Sequence, residues 1–343
     1  MKQVIVKGRL ERNRLGCYLE SGRLRSSRAA RSMRIAQLAI VAVLAVGSAP
    51  AQSGTKEIAM TIDDLPLNGP HFELSRLQGM TDRLLSGIQR HHLPVVGFVN
   101  ESLVYVPGET DARIAILRSW SDVGVELGNH TFAHVGFKDT PLAAYEDDFV
   151  RGDSVIRSIM AKRGTRPRFF RHPFLQMGPT KDDEQSFESF IAARGYRIAP
   201  ITIDIMDWMF RVAYVNARTK NDTVMMKQVA DGYLSFAGLK IDFCERVTAE
   251  LFGRPVKHIL LLHANELNAD NFDRLVKVFT DRGYRFVSLD EALRDDIYRF
   301  PDRYRATSDW LSHWAFSLGK SFAAPQPPEF IQKAYQEGSK PSS

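Results

Sequence analysis

From residue 56 onward, short runs rich in β-branched and other apolar residues alternate with longer segments whose apolar positions recur every three to four residues. The short runs predict strands at 58–62, 95–99, 123–127, 168–171, 198–203, 258–262 and 284–288, seven in all. The longer segments predict helices at 73–91, 111–120, 142–160, 182–193, 224–251 and 271–282. Strands that alternate with helices call for a parallel sheet, and this many in succession favour closure into a barrel over an open sheet. The expected fold class is therefore α/β, a barrel of parallel strands of the (β/α)7 type with its active site at the carboxyl-end rim. The stretch 325–343 is Pro-rich and is expected to fray as a flexible tail.

Upstream of the body the pattern changes. Residues 33–51, MRIAQLAIVAVLAVGSAPA, combine a positive start at Arg34, an apolar run at 35–46 and the small-residue pattern Ala49-Pro50-Ala51. That is the form of a secretory signal peptide cleaved before Gln52, which implies a periplasmic or extracellular protein with no stable membrane insertion after cleavage. The apolar run is short for a membrane span, and an uncleaved anchor is the competing reading. Residues 1–32 are Arg-rich, carry no periodic apolar face and precede a second start at Met33, so they are read as an over-extended gene start without a fold. The expected layout is a leader at 1–51, one large domain at 52–324 and the tail at 325–343.

Charge and cysteine count narrow the function classes. The leader holds ten of the 46 Lys and Arg but only Glu11 and Glu20 of the 40 acidic residues, so the formal net charge of +6 belongs to it. The body carries a net charge of about −2 and no electrostatic footprint for nucleic acid. Cys17 lies in the leader, and Cys244 alone excludes a disulfide scaffold and a tetrathiolate zinc site in the body.

The ionisable residues gather where predicted strands end. Asp63 and Asp64 follow the first, His130 the third, Arg171 ends the fourth, Asp204 and Asp207 follow the fifth and His263 the sixth. In a parallel barrel these positions open onto one rim, so residues 200 apart in sequence meet in one pocket. In GNHTFAHVGF (128–137), a helical turn after the strand puts His130 and His134 on one face. Such a pair binds one divalent ion if a third, preferably anionic, ligand joins it, and Asp64 is the candidate. Two ordinary hydrogen-bonding histidines are the competing reading. In MTIDDLP (60–66), adjacent carboxylates at the end of a buried strand repel each other and lose hydration, which is costly without a cation or a shared proton. A solvated Asp-Asp turn before Pro66 is the plain alternative.

Five motifs stand in order: TIDD at 61–64, HTFAH at 130–134, RHPF at 171–174, DIMDW at 204–208 and LLLH at 260–263. With these, the body resembles the polysaccharide deacetylases of carbohydrate esterase family 4, the NodB-like group. The resemblance implies a distorted barrel of about seven βα units. It implies that Asp64, His130 and His134 hold Zn²⁺ or a similar divalent ion, which polarises an acetyl carbonyl and acidifies its bound water. It further implies Asp63 as general base, His263 as general acid, Arg171 as the partner of Asp63, and Asp207 as the residue that orients His263. A backbone N–H near Phe174 would meet the oxyanion, and Trp208 would wall the acetyl methyl, a core aromatic being the alternative for Trp208. Asp204 is read as a structural cap as readily as a site residue. The match departs at Ile62, where the family usually has Phe, and at Phe174, where Tyr is usual; the second departure puts substrate contacts in doubt.

The expected activity is metal-dependent removal of N-acetyl groups from an amino-sugar glycan, peptidoglycan or chitin-like. The alternatives are hydrolysis of an O-acetyl ester or a non-sugar amide on the same scaffold, or glycan binding without turnover; the intact base, acid and ligands argue against the last. Loops at 68–71, 138–141 and 211–221 are expected to shape the groove. His71, His91, His92 and His258 have no partner at ligand spacing and are read as surface or packing residues. Asn265, Glu266 and Asn268 are read as a polar loop, and Trp310 and Trp314 as a helix docked on the barrel.

Overall fold

The computed structural model describes residues 55–69, 73–300 and 309–338, so the expected leader, His71 and residues 339–343 lie outside the described residues. In chain order the elements are β1 (Lys56–Leu65), α1 (Leu74–Arg90), β2 (Val96–Val99), α2 (Thr110–Asp122), β3 (Glu126–Asn129), α3 (Leu142–Arg151), α4 (Ser154–Ala161), β4 (Phe169–Phe170) and α5 (Lys181–Ala192). They continue with β5 (Arg197–Ile198), β6 (Ile203–Asp204), α6 (Asp207–Thr219), α7 (Thr223–Phe252), β7 (His258–His263), α8 (Glu266–Thr280), β8 (Tyr284–Phe286), α9 (Leu289–Ala292), α10 (Trp310–Ser317) and α11 (Glu329–Gly338). Among the described residues, no helix is long and apolar enough to cross a membrane.

All strand pairs are parallel, in the order β5-β4-β3-β2-β1-β7-β6, with β8 pairing the start of β1. The sheet is a curled half-barrel, the expected distorted barrel, with β5 and β6 at the two ends of this order among the described residues. Its centre is legible in composition: β1 and β7 are buried almost end to end, as strands covered on both faces must be. Ala59, Ile259 and Leu261 join Val96, Phe98 and Phe169 in one cluster, while Ile58, Met60, Ile62, Leu260 and Leu262 join the helices in another. Strand periodicity then carries Thr61, Asp63 and His263 along the first of these faces, towards the pocket.

Several elements differ from their sequence-based expectation, each for a local reason. The run 198–203 is not one strand but β5 and β6 on opposite edges, because Ala199 N–H bonds Phe170 O while Thr202 N–H bonds Ile259 O, and Pro200 between them has no donor. The helix expected at 142–160 breaks at Gly152, where an added Cβ would lie 2.6 Å from the carbonyl carbon of Thr131. The strand expected from 123 begins only at Glu126, since Val123 caps α2 and Gly124 turns the chain with φ +96°. The stretch 211–221, expected as a loop, is mostly α6, which buries Phe210, Ala213, Tyr214 and Ala217 at helical spacing. Within the expected flexible tail, residues 329–338 form α11, which packs on α6 with Ile331 fully buried.

Candidate active site and metal centre

The site begins with a buried cation. Arg171 follows β4 and is fully buried; it donates to Asp63 Oδ1 at 2.8 Å, to Thr61 Oγ1 at 2.7 Å and to the carbonyl of Ala199 at 3.1 Å. Its guanidinium also lies 4.4 Å from the centroid of the Phe98 ring. So many partners are what a guanidinium needs in order to leave water. Burial pushes the Asp63 carboxyl above its ordinary value, and Arg171 and His263 work against that shift. Oδ1 is occupied by Arg171, which leaves Oδ2 facing the pocket, 3.7 Å from His130 Nε2.

Asp64 breaks the alternation of β1. By period two its side chain belongs with the helix layer, but its φ of +60°, costly for a residue with a Cβ, turns the carboxylate to the same side as Asp63. Its Oδ2 accepts from Asn68 Nδ2 at 2.6 Å. Its Oδ1 is buried without a hydrogen-bond partner among the described residues and lies 3.6 Å from His130 Nε2 and 3.4 Å from His134 Nε2. The ligand atoms of these three residues fall within 4.8 Å of one another, so the first of the two histidine readings holds geometrically. The expected helical turn does not form, however. Asn129 Oδ1 captures the N–H of Thr131, Asp148 captures the N–H groups of Phe132 and Ala133, and Thr131 and His134 adopt φ of +64° and +55°. Asp148 and Asn129, not an i,i+4 helix face, set the pair. The ring of His130 is fixed by its Nδ1 against Arg171 O at 2.8 Å, and burial, with the neighbouring His134 next, lowers its pKa to about 3, keeping it the neutral imidazole a metal requires.

Across the pocket stands the second charged pair. Strand register sets Asp63 beside His263, and β7 ends there. His263 Nδ1 lies 2.8 Å from Asp207 Oδ1, while Asp207 Oδ2 accepts from the His263 N–H, Asn265 Nδ2 and Asn268 Nδ2. Burial alone would raise the Asp207 pKa, but His263 and these donors outweigh it and lower it. Burial would likewise lower the pKa of His263, yet Asp207, Asp64 and Asp63 raise it to about 10. Asn265 and Asn268 thus sit behind the site as partners of Asp207 rather than as a loop. Asp204 accepts from the Met206 N–H at 2.7 Å and shapes the turn into α6.

Asp63, Asp64, His130, His134, Asp204 and His263 line one cavity of about 550 Å³, with Arg171 and Asp207 buried behind it. Trp208 is half-buried on its wall, edge-on to Tyr335 of α11 at 5.0 Å; the exposed Phe174, with φ +54°, sets its ring 4.4 Å from that of His134. Asn68, His172, Arg211, Lys240 and Tyr335 also line it; Asn68 and Arg211 begin two of the stretches expected to shape the groove, whereas nothing in the sequence pointed to Lys240 or Tyr335. Asn68 and Arg211 each lie four residues beyond a site aspartate, a signal that was available; Tyr335 had none.

Residues 51–186 match the family model for polysaccharide deacetylase. Among solved structures it is similar to a wild-type CE4 family pseudoenzyme from Bacillus anthracis, at 17% identity over 70% of this chain and 66% of that one, with TM-score 0.48. It is also similar to a polysaccharide deacetylase from Bacillus cereus (17% identity, 68% of this chain and 91% of that one, TM-score 0.47). A third is a family 4 carbohydrate esterase from Streptomyces lividans in complex with acetate (17%, 69% and 95%, TM-score 0.44). No curated protein matches. The matched stretch holds Asp63, Asp64, His130, His134, Arg171 and Phe174, whereas Asp207, Trp208 and His263 lie beyond it and join them through the β1–β7 pairing and α6.

Proposed function

We propose that this protein is a metal-dependent hydrolase that removes N-acetyl groups from an amino-sugar glycan. The reading is carried by one arrangement: an Asp64–His130–His134 cluster flanked by an Arg171-held carboxylate on one side and an Asp207-held imidazole on the other, all lining one cavity. Two imidazole nitrogens and a carboxylate oxygen are the donor set of a catalytic Zn²⁺ site, and Asp64 Oδ1, buried without a partner, fits such an ion. When bound, the ion supplies Lewis-acid polarisation of the acyl oxygen and acidification of water.

The chain's own residues do the rest. Asp63 receives the proton of the attacking water at Oδ2, and Arg171 keeps that carboxylate oriented through Oδ1. His263, its Nδ1 held by Asp207, carries a proton at neutral pH and has Nε2 left to protonate the departing amine. The backbone N–H of Phe174 meets the developing oxyanion, and Trp208 covers the acetyl methyl.

Asp63→Asn separates chemistry from binding. Zn²⁺ affinity measured by calorimetry should stay near wild type, while acetate release from chitin oligomers and peptidoglycan fragments falls on the order of 10²–10⁴-fold. Activity that survives complete chelation sinks the mechanism, and glycan affinity without any turnover that Asp63→Asn changes would favour a binding protein. We also propose export, on the pattern at 33–51; a mature amino terminus at Gln52 supports it, and an intact cytosolic chain does not.

A further inference from the structure

Arg211 is a cation in the cavity wall that, among the described residues, has no carboxylate bonded to it. It lies on α6, four residues after Asp207 and three after Trp208, so one helix face brings Trp208 and Arg211 to the cavity wall with Asp207 buried behind it. Among the described residues its Nε is buried with no hydrogen-bond partner, and Asp207 and Asp64 act on it only through space. Its guanidinium lies across Gly69, where a Cβ would come within 2.8 Å of Nη1; that residue has φ +139°, and glycine there leaves the room.

The neighbouring charges are accounted for elsewhere. Asp63 is paired with Arg171, Asp207 with His263, and Asp64 is divided between Asn68 and the two imidazoles. Lys240, 4% exposed on the same wall, acts on Asp204. Asn68 Oδ1 is also buried without a partner among the described residues. A guanidinium partly stripped of water with free donors is costly unless a ligand completes its hydrogen bonds, and its planar fork matches a carboxylate. A dianion would meet Asp64, Asp204 and Asp309 on the same cavity wall, so a singly charged group fits better.

We propose that Arg211 selects an N-acetylated amino sugar that bears a carboxylate, with Asn68 Oδ1 accepting from a neighbouring hydroxyl. This rests on the deacetylase reading and names the substrate class of that same site.

The test is a titration of the full chain, metal-free and Zn²⁺-loaded, with N-acetylmuramic acid and with N-acetylglucosamine, followed by tryptophan emission. Wild type should prefer the acidic sugar by roughly tenfold or more; Arg211→Gln should bring that ratio near one, and Arg211→Lys should restore part of it. Circular dichroism melts of both variants report that α6 still folds. A wild-type ratio near one, or a ratio that Arg211→Gln leaves intact, overturns the proposal. Acetate release from either sugar is read separately: a carboxylate preference without release upholds the Arg211 subsite and rejects the hydrolase, and equal release with no preference does the reverse.

Discussion

At the scale of single residues, the Asp207–His263 pair ties protonation to stability. Folding raises the His263 pKa from 6.5 to about 10, so its contribution is fully present below pH 6.5 and is lost as pH rises towards 10. Asp207 is shifted the other way; its contribution is present above 3.8 and is lost as pH falls through the lowered value. Both act together between about pH 4 and 6.5. His172 and His258 oppose this, because burial lowers them to about 3 and about 4, so stability falls as pH drops below 6.5. Subtracting the stability of His263→Gln from wild type isolates the pair. In urea unfolding of metal-free protein, that difference should be largest near pH 5.5 and shrink steadily towards pH 10. A difference that stays flat across this range removes the pair as a stabilising element. Five motifs named these residues from sequence, but not the turn of Asp64, whose φ of +60° is imposed by what surrounds it.

Among elements, the corner between α3 and α4 governs the metal loop. Gly152 lets that corner rest against the backbone of Thr131, and Asp148 on α3 holds the N–H groups of Phe132 and Ala133 between the two histidines. Gly152→Ala should therefore push on backbone, which yields less readily than a side chain, at a cost of roughly 1–3 kcal/mol. Zn²⁺ affinity should fall in the same variant, and calorimetry with a denaturation curve reads both; unchanged affinity would detach the corner from the site. Periodicity found the helices with strong apolar faces, α1 and α8 among them. It missed the break at 152 and the helix at 207–219, where tertiary neighbours decide.

For the whole molecule, α11 closes one wall of the cavity from the far end of the chain. Ile331 anchors it, and Tyr335 reaches Trp208 at 5.0 Å. Ile331→Asn would bury an amide without a partner, costing about 1–3 kcal/mol, enough to favour release of this single ten-residue helix over global unfolding. We expect a red-shifted tryptophan emission and a raised KM with little change in kcat. Wild-type emission and KM in that variant would exclude α11 from the substrate wall.

The alternation of apolar strands with amphipathic helices determined a parallel barrel, and the five strand-end motifs determined which ionisable residues share its rim, because burial on both faces and strand-end placement leave a mark on local sequence. Only the tertiary structure decided that Asp64 turns inward, that the histidines meet through left-handed residues rather than a helix, and that Lys240 and Tyr335 belong to the cavity. Those outcomes depend on hydrogen bonds and packing between segments far apart in the chain, and such contacts impose no period on the residues that make them.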